Sequence, residues 1–216
     1  MSSQNSQTSI QIRRLQPSDV ASLSGVYTIC FLDNPAYCYL FPNFPSEKLQ
    51  RALHWLFTLR LKALLQFNIP YYVAVDGDQL VGGAGCIPHS RKPSLLALLA
   101  SGFLWWPFYW GLGSFLRGFI MTLMIDYVET VHTPAAQAQL AMVAVSPSHQ
   151  RMGVGRKLLD SILHDTELKD MNIGLSTQKK NNLKFYSKFG FYHVKDVKVL
   201  GIDGYIMQRT VIQSKN

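Results

Sequence analysis

The stretch from Leu95 to Leu116 constrains the fold most, because it contains no charged residue. About 20 consecutive apolar residues are enough to cross a bilayer as a helix, so the stretch is a candidate membrane span. Pro107 stands near its middle and removes a helical hydrogen-bond donor, and Gly102 and Gly111 interrupt it further. We therefore predict two short helical pieces around residues 105–107 that line a pocket or an interface. A membrane span and contact with a membrane surface are the less favoured alternatives.

The composition predicts one folded domain. Of the 216 residues, 48% are hydrophobic and 16% are charged, whereas a soluble domain has about 25% charged residues and a disordered chain has few apolar ones. We expect a single domain over residues 8–212, with flexible termini at 1–7 and 213–216. Residues 1–7 are polar and lack the apolar core of a signal peptide, which predicts a cytoplasmic protein. Three scattered cysteines predict neither a disulfide framework nor a metal site: Cys30, Cys38 and Cys86.

Hydrophobic periodicity predicts that strands and helices are interleaved along the chain. Predicted strands cover residues 8–15, 71–75, 80–87, 139–145, 172–177, 190–200 and 205–212. Predicted helices run from Ser18 or Asp19 to Asn34 and over 46–67, 119–131, 153–168 and 181–188. Residues 139–177 form one βαβ unit and hairpins account for the other strands. This order predicts a mixed sheet with helices on both faces.

The most informative local pattern follows the predicted strand at 139–145. Val145-Ser146-Pro147 ends this strand, and Gln150-Arg151-Met152-Gly153-Val154-Gly155 enters a helix. The first four N–H groups of a helix have no intrahelical partner, and the helix dipole is positive there. Glycines also let a bulky anion approach the backbone closely. The pattern indicates a pyrophosphate site made of backbone donors, with a purely structural turn as the alternative.

A second pattern lies downstream, where Asn182, Phe185, Tyr186, Gly190 and Phe191 match N-x-x-F-Y-x-x-x-G-F. Together the two patterns resemble the acyl-coenzyme A site of the GNAT (Gcn5-related) N-acetyltransferase superfamily. The resemblance covers roughly residues 8–212. It implies a single α/β (α+β) domain whose sheet is mixed and mostly antiparallel, is flanked by helices and has a splayed central strand.

The resemblance also implies acetyl-coenzyme A as cosubstrate, transferring its acetyl group to an amine by direct attack in a ternary complex. The pantetheine arm would pair with the backbone of Val143, Ala144 and Val145, and Asn182 would contact the pantetheine region. Tyr186 would lie near the thiol as general acid, since a tyrosine with a pKa of about 10 stays protonated at neutral pH. The pyrophosphate would be held by the amides of Arg151, Met152, Gly153, Val154, Gly155 and Arg156.

The sequence does not specify a general base, because the strand at 139–145 contains no acidic residue. Glu129, His132 and His149 are the nearest candidates, although each is also compatible with an ordinary surface or structural role. Two further alternatives remain. A chain of water molecules could carry the proton away from the amine, or the amine could arrive partly deprotonated and need no dedicated base. Four lysines near the second motif predict either a solvated face or contact with the coenzyme A 3′-phosphate: Lys179, Lys180, Lys184 and Lys188.

In the GNAT superfamily, the loop between the first two helices and the segment before the central strand shape the acceptor side. In this sequence, aromatic residues dominate both segments. They predict an apolar pocket for a small, partly apolar amine. These residues are Phe31, Tyr37, Tyr39, Phe41, Trp105, Trp106, Phe108, Tyr109 and Trp110. The net charge of +8 comes from basic residues spread along the chain without a nucleic-acid motif, so no nucleic-acid partner is expected.

Two alternatives to an acyltransferase remain at this point. One is a non-catalytic module that binds coenzyme A or another protein, and the other is a membrane-associated protein that uses residues 95–116. The sequence leaves open the acceptor, the acyl chain length and the oligomeric state, a homodimer included.

Overall fold

The computed structural model describes residues 10–211. The expected flexible termini, and residues 8, 9 and 212 of the expected domain, lie outside the described residues. Residues 10–211 form a seven-stranded sheet in the order β1-β2-β3-β4-β5-β7-β6. The strands are β1 Gln11–Arg14, β2 Tyr71–Asp76, β3 Gln79–Pro88, β4 Ala138–Val145, β5 Ile173–Thr177, β6 Tyr192–Val199 and β7 Ile202–Arg209.

The sheet is mixed and mostly antiparallel, as predicted. Only β4 and β5 pair in parallel, and they are the two strands of the predicted βαβ unit. The helices are α1 Val20–Phe31, α2 Pro35–Leu40, α3 Ser46–Gln66, α4 Leu95–Ala100, α5 Trp106–Trp110, α6 Leu112–His132, α7 Val154–Leu163 and α8 Asn182–Tyr186.

The core has two parts because successive strand residues point to opposite faces of the sheet. On one face, Val73 packs in a cluster with Leu23 of α1 and Phe57 of α3. On the other face, Ala74 packs in a cluster with Leu158 of α7 and Tyr186 of α8. Helices therefore cover both faces, as the sequence predicted.

The apolar stretch forms the predicted short pieces. α4 and α5 are separated by a turn through Gly102, and Pro107 stands in the first turn of α5, where its missing N–H is tolerated. The helix predicted at 119–131 begins earlier, at Leu112, and ends at His132. Within residues 10–211, no helix combines the length and the apolar character needed to cross a membrane.

Two predicted boundaries are wrong for local reasons. Asn34 and Pro35 were expected only to end a helix, but the Asn34 side chain accepts from the Ala36 N–H at 2.9 Å and starts α2. The helix predicted to reach residue 168 ends at Leu163. Beyond it, the buried Asp165 carboxylate accepts hydrogen bonds from Arg14 and Tyr72, so tertiary contacts hold the chain in a turn.

Candidate active site

The split between β4 and β5 is the central feature of the candidate site. The two strands pair only at Ala138–Ile173 and Gln139–Gly174, near their N-terminal ends. Within the described residues, no strand pairs with residues 140–145 on the β5 side. The backbone of residues 143–145 therefore lies along an open edge, as expected for a strand that receives an extended ligand.

A β-bulge bends β4 on the β3 side of the split. Ala84 of β3 faces both Met142 and Val143 of β4, and Met142 has a φ of 48°, which is rare for a side chain of this size. The Tyr71 hydroxyl donates to the Met142 carbonyl at 3.3 Å and also shares a hydrogen bond with the buried Tyr27 hydroxyl. These two tyrosines support the strained backbone from inside the core.

The turn before α7 presents a run of unused backbone donors. Arg151 has a φ of 64° and Gly153 a φ of 81°, so residues of positive φ alternate with residues of negative φ. Such alternation points successive N–H groups to one side and makes an anion-binding concavity. Among residues 10–211, no carbonyl or side chain accepts from the amides of residues 151–156. We call these six amides the cradle.

Neighbouring residues fix the cradle against the sheet. The Gln150 amide donates to the Val145 carbonyl at 3.1 Å, which ties the turn to the end of β4. Gly155 packs against Phe185 of α8, because a Cβ atom there would lie 3.3 Å from the Phe185 ring. Arg151 and Arg156 are exposed and form no ion pair with any described residue, so both charges are available to a bound anion.

Tyr186 lies on α8 and is 7% exposed. Its ring packs edge-on against Phe185 and Phe191. Its hydroxyl has no hydrogen-bond partner among the described residues. The hydroxyl oxygen is nevertheless accessible to solvent. Burial raises the pKa of Tyr186, so the phenol stays protonated at neutral pH.

Asn182 links α8 to the end of β5. Its Nδ2 donates to the Thr177 Oγ1 at 2.8 Å, which leaves its carbonyl oxygen as the group available to a ligand. The predicted lysines 179, 180, 184 and 188 are all exposed around this junction. Lys179 lines a groove at the open end of the split, together with Pro147 and Gln150.

The GNAT acetyltransferase domain model matches residues 111–193, a segment that contains α6, the split strands, the cradle and Tyr186. Over these residues the chain is similar to GNAT acetyltransferases. No curated protein is significantly similar to the chain in sequence.

Solved GNAT structures share the fold over nearly the whole chain. An acetyltransferase related to histone acetyltransferase HPA2 from Corynebacterium glutamicum is 19% identical with a TM-score of 0.66, covering 96% of this chain and 99% of its own. A putative acetyltransferase from Salmonella typhimurium, solved with acetyl-CoA, is 14% identical with a TM-score of 0.57, covering 96% of each chain. The PaiA N-acetyltransferase of Thermoplasma acidophilum, solved with coenzyme A, is 15% identical with a TM-score of 0.53, covering 94% and 99%. At these identities the likeness concerns the fold.

The three candidate bases have different surroundings in the structure. Nε2 of His149 lies 3.2 Å from Asp76 of the β2–β3 hairpin and so braces the turn before the cradle. His132 is the last residue of α6 and is half-buried. Glu129 accepts a hydrogen bond from the Ser176 hydroxyl of β5 at 2.6 Å, and burial raises the pKa of its carboxyl.

Most of the nine aromatic residues predicted for the acceptor side belong to the core. Phe41 and Trp106 stack in the core, and Phe31 and Tyr37 pack on Phe57. Tyr39 and Trp110 are half-buried against the same cluster, while three others point outwards: Trp105, Phe108 and Tyr109. The six inward-facing aromatic residues fill the space among α1, α2, α3 and α5.

No sequence motif identifies two further side chains near the split. Ser176 lies on β5 and contacts Glu129, and Gln139 lies where β4 and β5 stop pairing. Both amide atoms of Gln139 are buried without a hydrogen-bond partner of acceptable geometry, although the amide is close enough to Glu129 to favour its charged form. Only the sheet register brings these side chains together.

Proposed function

We propose that this protein transfers an acetyl group from acetyl-coenzyme A to the amine of a small, partly apolar molecule, by direct attack in a ternary complex. The observation that carries the proposal is the position of the cradle at the end of the split strand. A polyanionic pyrophosphate on the cradle directs the attached pantetheine arm along the open edge of β4.

The residues assigned to the coenzyme follow from this placement. The amides of residues 151–156 bind the pyrophosphate, with Arg151 and Arg156 adding charge. The pantetheine arm pairs with the backbone of residues 143–145, and the Asn182 carbonyl oxygen accepts from one of its amides. The exposed lysines after β5 and on α8 contact the 3′-phosphate.

The chemistry needs an acid for the leaving group and a donor for the oxyanion. Negative charge develops on the thioester oxygen as the amine attacks, and a backbone N–H at the β4 bulge stabilises it. The thiolate of coenzyme A takes a proton from Tyr186, whose free hydroxyl fits this role better than that of a satisfied core tyrosine.

The surroundings of Cys30 favour direct attack over an acyl-enzyme. Its thiol lies beside the split and donates to the Val145 carbonyl at 3.3 Å. Burial raises the pKa of Cys30 to about 11, so the thiol is protonated and a poor nucleophile at neutral pH.

Thiol release tests the proposal. The full chain is mixed with acetyl-coenzyme A and a panel of primary amines, and free thiol is measured with a chromogenic disulfide. We expect release that depends on the amine and is fastest with alkyl or arylalkyl amines. Tight coenzyme binding without turnover for any amine would instead identify a non-catalytic coenzyme-binding module.

A further inference from the structure

A groove between α6 and the β6–β7 hairpin contains a carboxylate among aliphatic side chains. Its walls are mainly Met121, Ile125, Val128, Val197, Val199 and Ile206. Glu129 and Ser176 lie in the same groove, and Asp203 lies on the hairpin beside it. Asp203 pairs with Lys198 at 3.6 Å, whereas Glu129 forms no ion pair with any described residue. Glu129 and the absence of basic groups from the lining favour a cation with an apolar body.

The polar groups in this groove are incompletely satisfied. One Glu129 oxygen accepts from Ser176. Gln139 lies behind the groove, and its buried amide makes no hydrogen bond of good geometry, although it is close enough to Glu129 to favour the charged carboxylate. Buried polar atoms without partners are uncommon and mark places where a ligand or water completes the network. An ammonium group has three donors, which suits a carboxylate and an amide oxygen.

The groove also reaches the split between the strands. Pairing of β4 with β5 ends at Gln139–Gly174, and Ser176 lies two residues further along β5, where the strands have separated. Ser176 points to the α6 face, whereas Leu175 points to the face that carries Tyr186. Glu129 and Tyr186 therefore approach the split from opposite faces of the sheet.

We propose that this groove binds the acceptor as an alkylammonium or arylalkylammonium ion and that Glu129 removes its proton before attack. This rests on the proposed acetyl transfer. Glu129 takes one proton from the ammonium and later releases it to solvent. The amine nitrogen then forms the C–N bond as the C–S bond breaks. Tyr186 protonates the thiolate, and the second nitrogen proton restores the Tyr186 phenol.

Binding and turnover of hexylamine in Glu129→Gln test this inference. Glutamine still accepts from Ser176, and Asp126→Asn is the matched control, because Asp126 lies one turn earlier on α6 and pairs with Lys92 at 2.7 Å. We expect Glu129→Gln to lower kcat about 10²–10⁴-fold with unchanged coenzyme affinity, and Asp126→Asn to behave like wild type. Hexylamine should bind the coenzyme A complex more tightly than hexanol, and Glu129→Gln should remove that preference.

The outcomes separate this inference from the proposed function. No turnover in wild type with any amine contradicts the acetyltransferase, whereas hexylamine binding that depends on Glu129 still supports the groove. Turnover that is equal in wild type and Glu129→Gln contradicts the groove alone. Loss of coenzyme binding in Glu129→Gln would show that this variant does not fold. In that case the KM for hexylamine is measured in Ser176→Ala. A wild-type KM for hexylamine in Ser176→Ala contradicts the assignment.

A second inference concerns the other side of α6, which we call the outer face. Its large apolar side chains point away from the protein at spacings of three or four residues: Leu112, Leu116, Ile120, Leu123, Tyr127 and Val131. The charged residues of α6 are turned inwards instead. Arg117 donates to the Leu40 carbonyl, Asp126 pairs with Lys92, and Glu129 lies in the groove.

The outer face continues onto the segment that precedes α6. α5 packs on α6, and its Phe108 is 77% exposed, with Trp105 and Tyr109 exposed beside it. Monomeric soluble proteins rarely expose a large contiguous apolar patch that is not an interaction site. Tryptophan and tyrosine rings beside aliphatic side chains are typical of segments that lie in a membrane interface.

The charge pattern favours an anionic lipid surface as the occupant. Between Asp78 and Asp126 the sequence contains no acidic residue, so α5 and most of the outer face carry no negative charge that would repel an anionic lipid. The whole chain carries a net charge of +8. We infer that the outer face of α6, together with α5, binds peripherally to an anionic bilayer with these helices parallel to its plane.

Sedimentation with vesicles of phosphatidylcholine, with and without phosphatidylserine, tests this inference. We expect the full chain to pellet with the anionic vesicles, and the double variant Leu116→Glu with Ile120→Glu to reduce the bound fraction at least tenfold. Tyr192→Glu places one such charge on an exposed apolar residue of β6 and should bind like wild type.

Sedimentation velocity in the absence of lipid tests the alternative, a dimer formed through the outer face. A dimer that the double variant dissociates, together with no vesicle binding, contradicts lipid docking and identifies a second copy of the chain as the occupant. Lipid binding that is unchanged in the double variant also contradicts it. Thermal unfolding of each variant confirms that the exposed substitutions leave the fold intact.

Discussion

The coenzyme side and the acceptor side of the split strands are made in different ways. The cradle is a single run of residues, 151–156, which uses backbone amides and two glycines. The groove next to Glu129 combines side chains from α6, β5 and the β6–β7 hairpin, segments far apart in the sequence. The contrast teaches that backbone recognition leaves a readable motif, whereas recognition by dispersed side chains does not.

Beside the Glu129→Gln test above, the largest expected effect concerns the side of the split that carries Tyr186. Tyr186→Phe removes the free hydroxyl but keeps the ring packing against Phe185 and Phe191, so we expect kcat to fall on the order of 10²–10³-fold. Coenzyme affinity, measured by calorimetry, should not change. An unchanged kcat would contradict the acid role and leave Tyr186 as a core residue.

A smaller effect is expected at the cradle itself. Gly153→Asp adds a side chain and a negative charge beside the pyrophosphate, and we expect the Kd for coenzyme A to rise about 10–100-fold, or about 1.4–2.8 kcal/mol. Gly201→Asp is the matched control, since Gly201 has a similar φ of 83° and equally open surroundings in the β6–β7 turn. Equal weakening of coenzyme binding by both variants would mean that backbone strain, not the cradle, is responsible.

The β4 bulge connects the two sides, and Tyr71 tests its support. Tyr71→Phe removes the donor to the Met142 carbonyl and leaves the buried Tyr27 hydroxyl without that partner. We expect a loss of about 1–3 kcal/mol in the free energy of unfolding and a lower kcat. Denaturant titration measures the first quantity, with the exposed Tyr192→Phe as control. Full stability in Tyr71→Phe would show that the bulge holds without the tyrosine pair.

The smallest expected effect is the pH dependence of stability at Glu129. Burial raises the folded-state pKa of this carboxyl, so the folded protein holds the proton more tightly than the unfolded chain. Its stabilising contribution is present below the unfolded pKa of about 4.3 and is lost as the pH rises through the folded pKa. The Tm of Glu129→Gln should therefore match wild type near pH 4 and exceed it by a few degrees at pH 8. A constant Tm difference across this range would contradict the burial of a charged carboxylate.

The sequence predicts the framework of the fold well. The strands at 71–75, 80–87 and 139–145 and the helix at 46–67 are observed with small changes at their ends, because their periodicity agrees with the burial that the fold imposes. The helix α7 is shorter than the periodicity predicts because the buried Asp165 carboxylate binds Arg14 and Tyr72. These residues lie 151 and 93 positions away along the chain, so no local pattern predicts the contacts.

The site is only half predictable from the sequence. The local geometry of the cradle follows from Gln150 to Gly155, and Asn182 and Tyr186 follow from the second motif. The pairing of Glu129 with Ser176 depends on how far β4 and β5 pair before they separate, which no local pattern encodes. The outward position of Trp105 and Phe108 was also missed, because apolar character alone predicts burial.

The most direct test of the account is mass spectrometry of the amine after incubation with the full chain and acetyl-coenzyme A. The account predicts that wild type forms N-acetylated hexylamine in an amount equal to the thiol released, and that Tyr186→Phe forms far less at the same coenzyme occupancy. Saturated coenzyme binding with no acetylated amine from any member of the panel would contradict it.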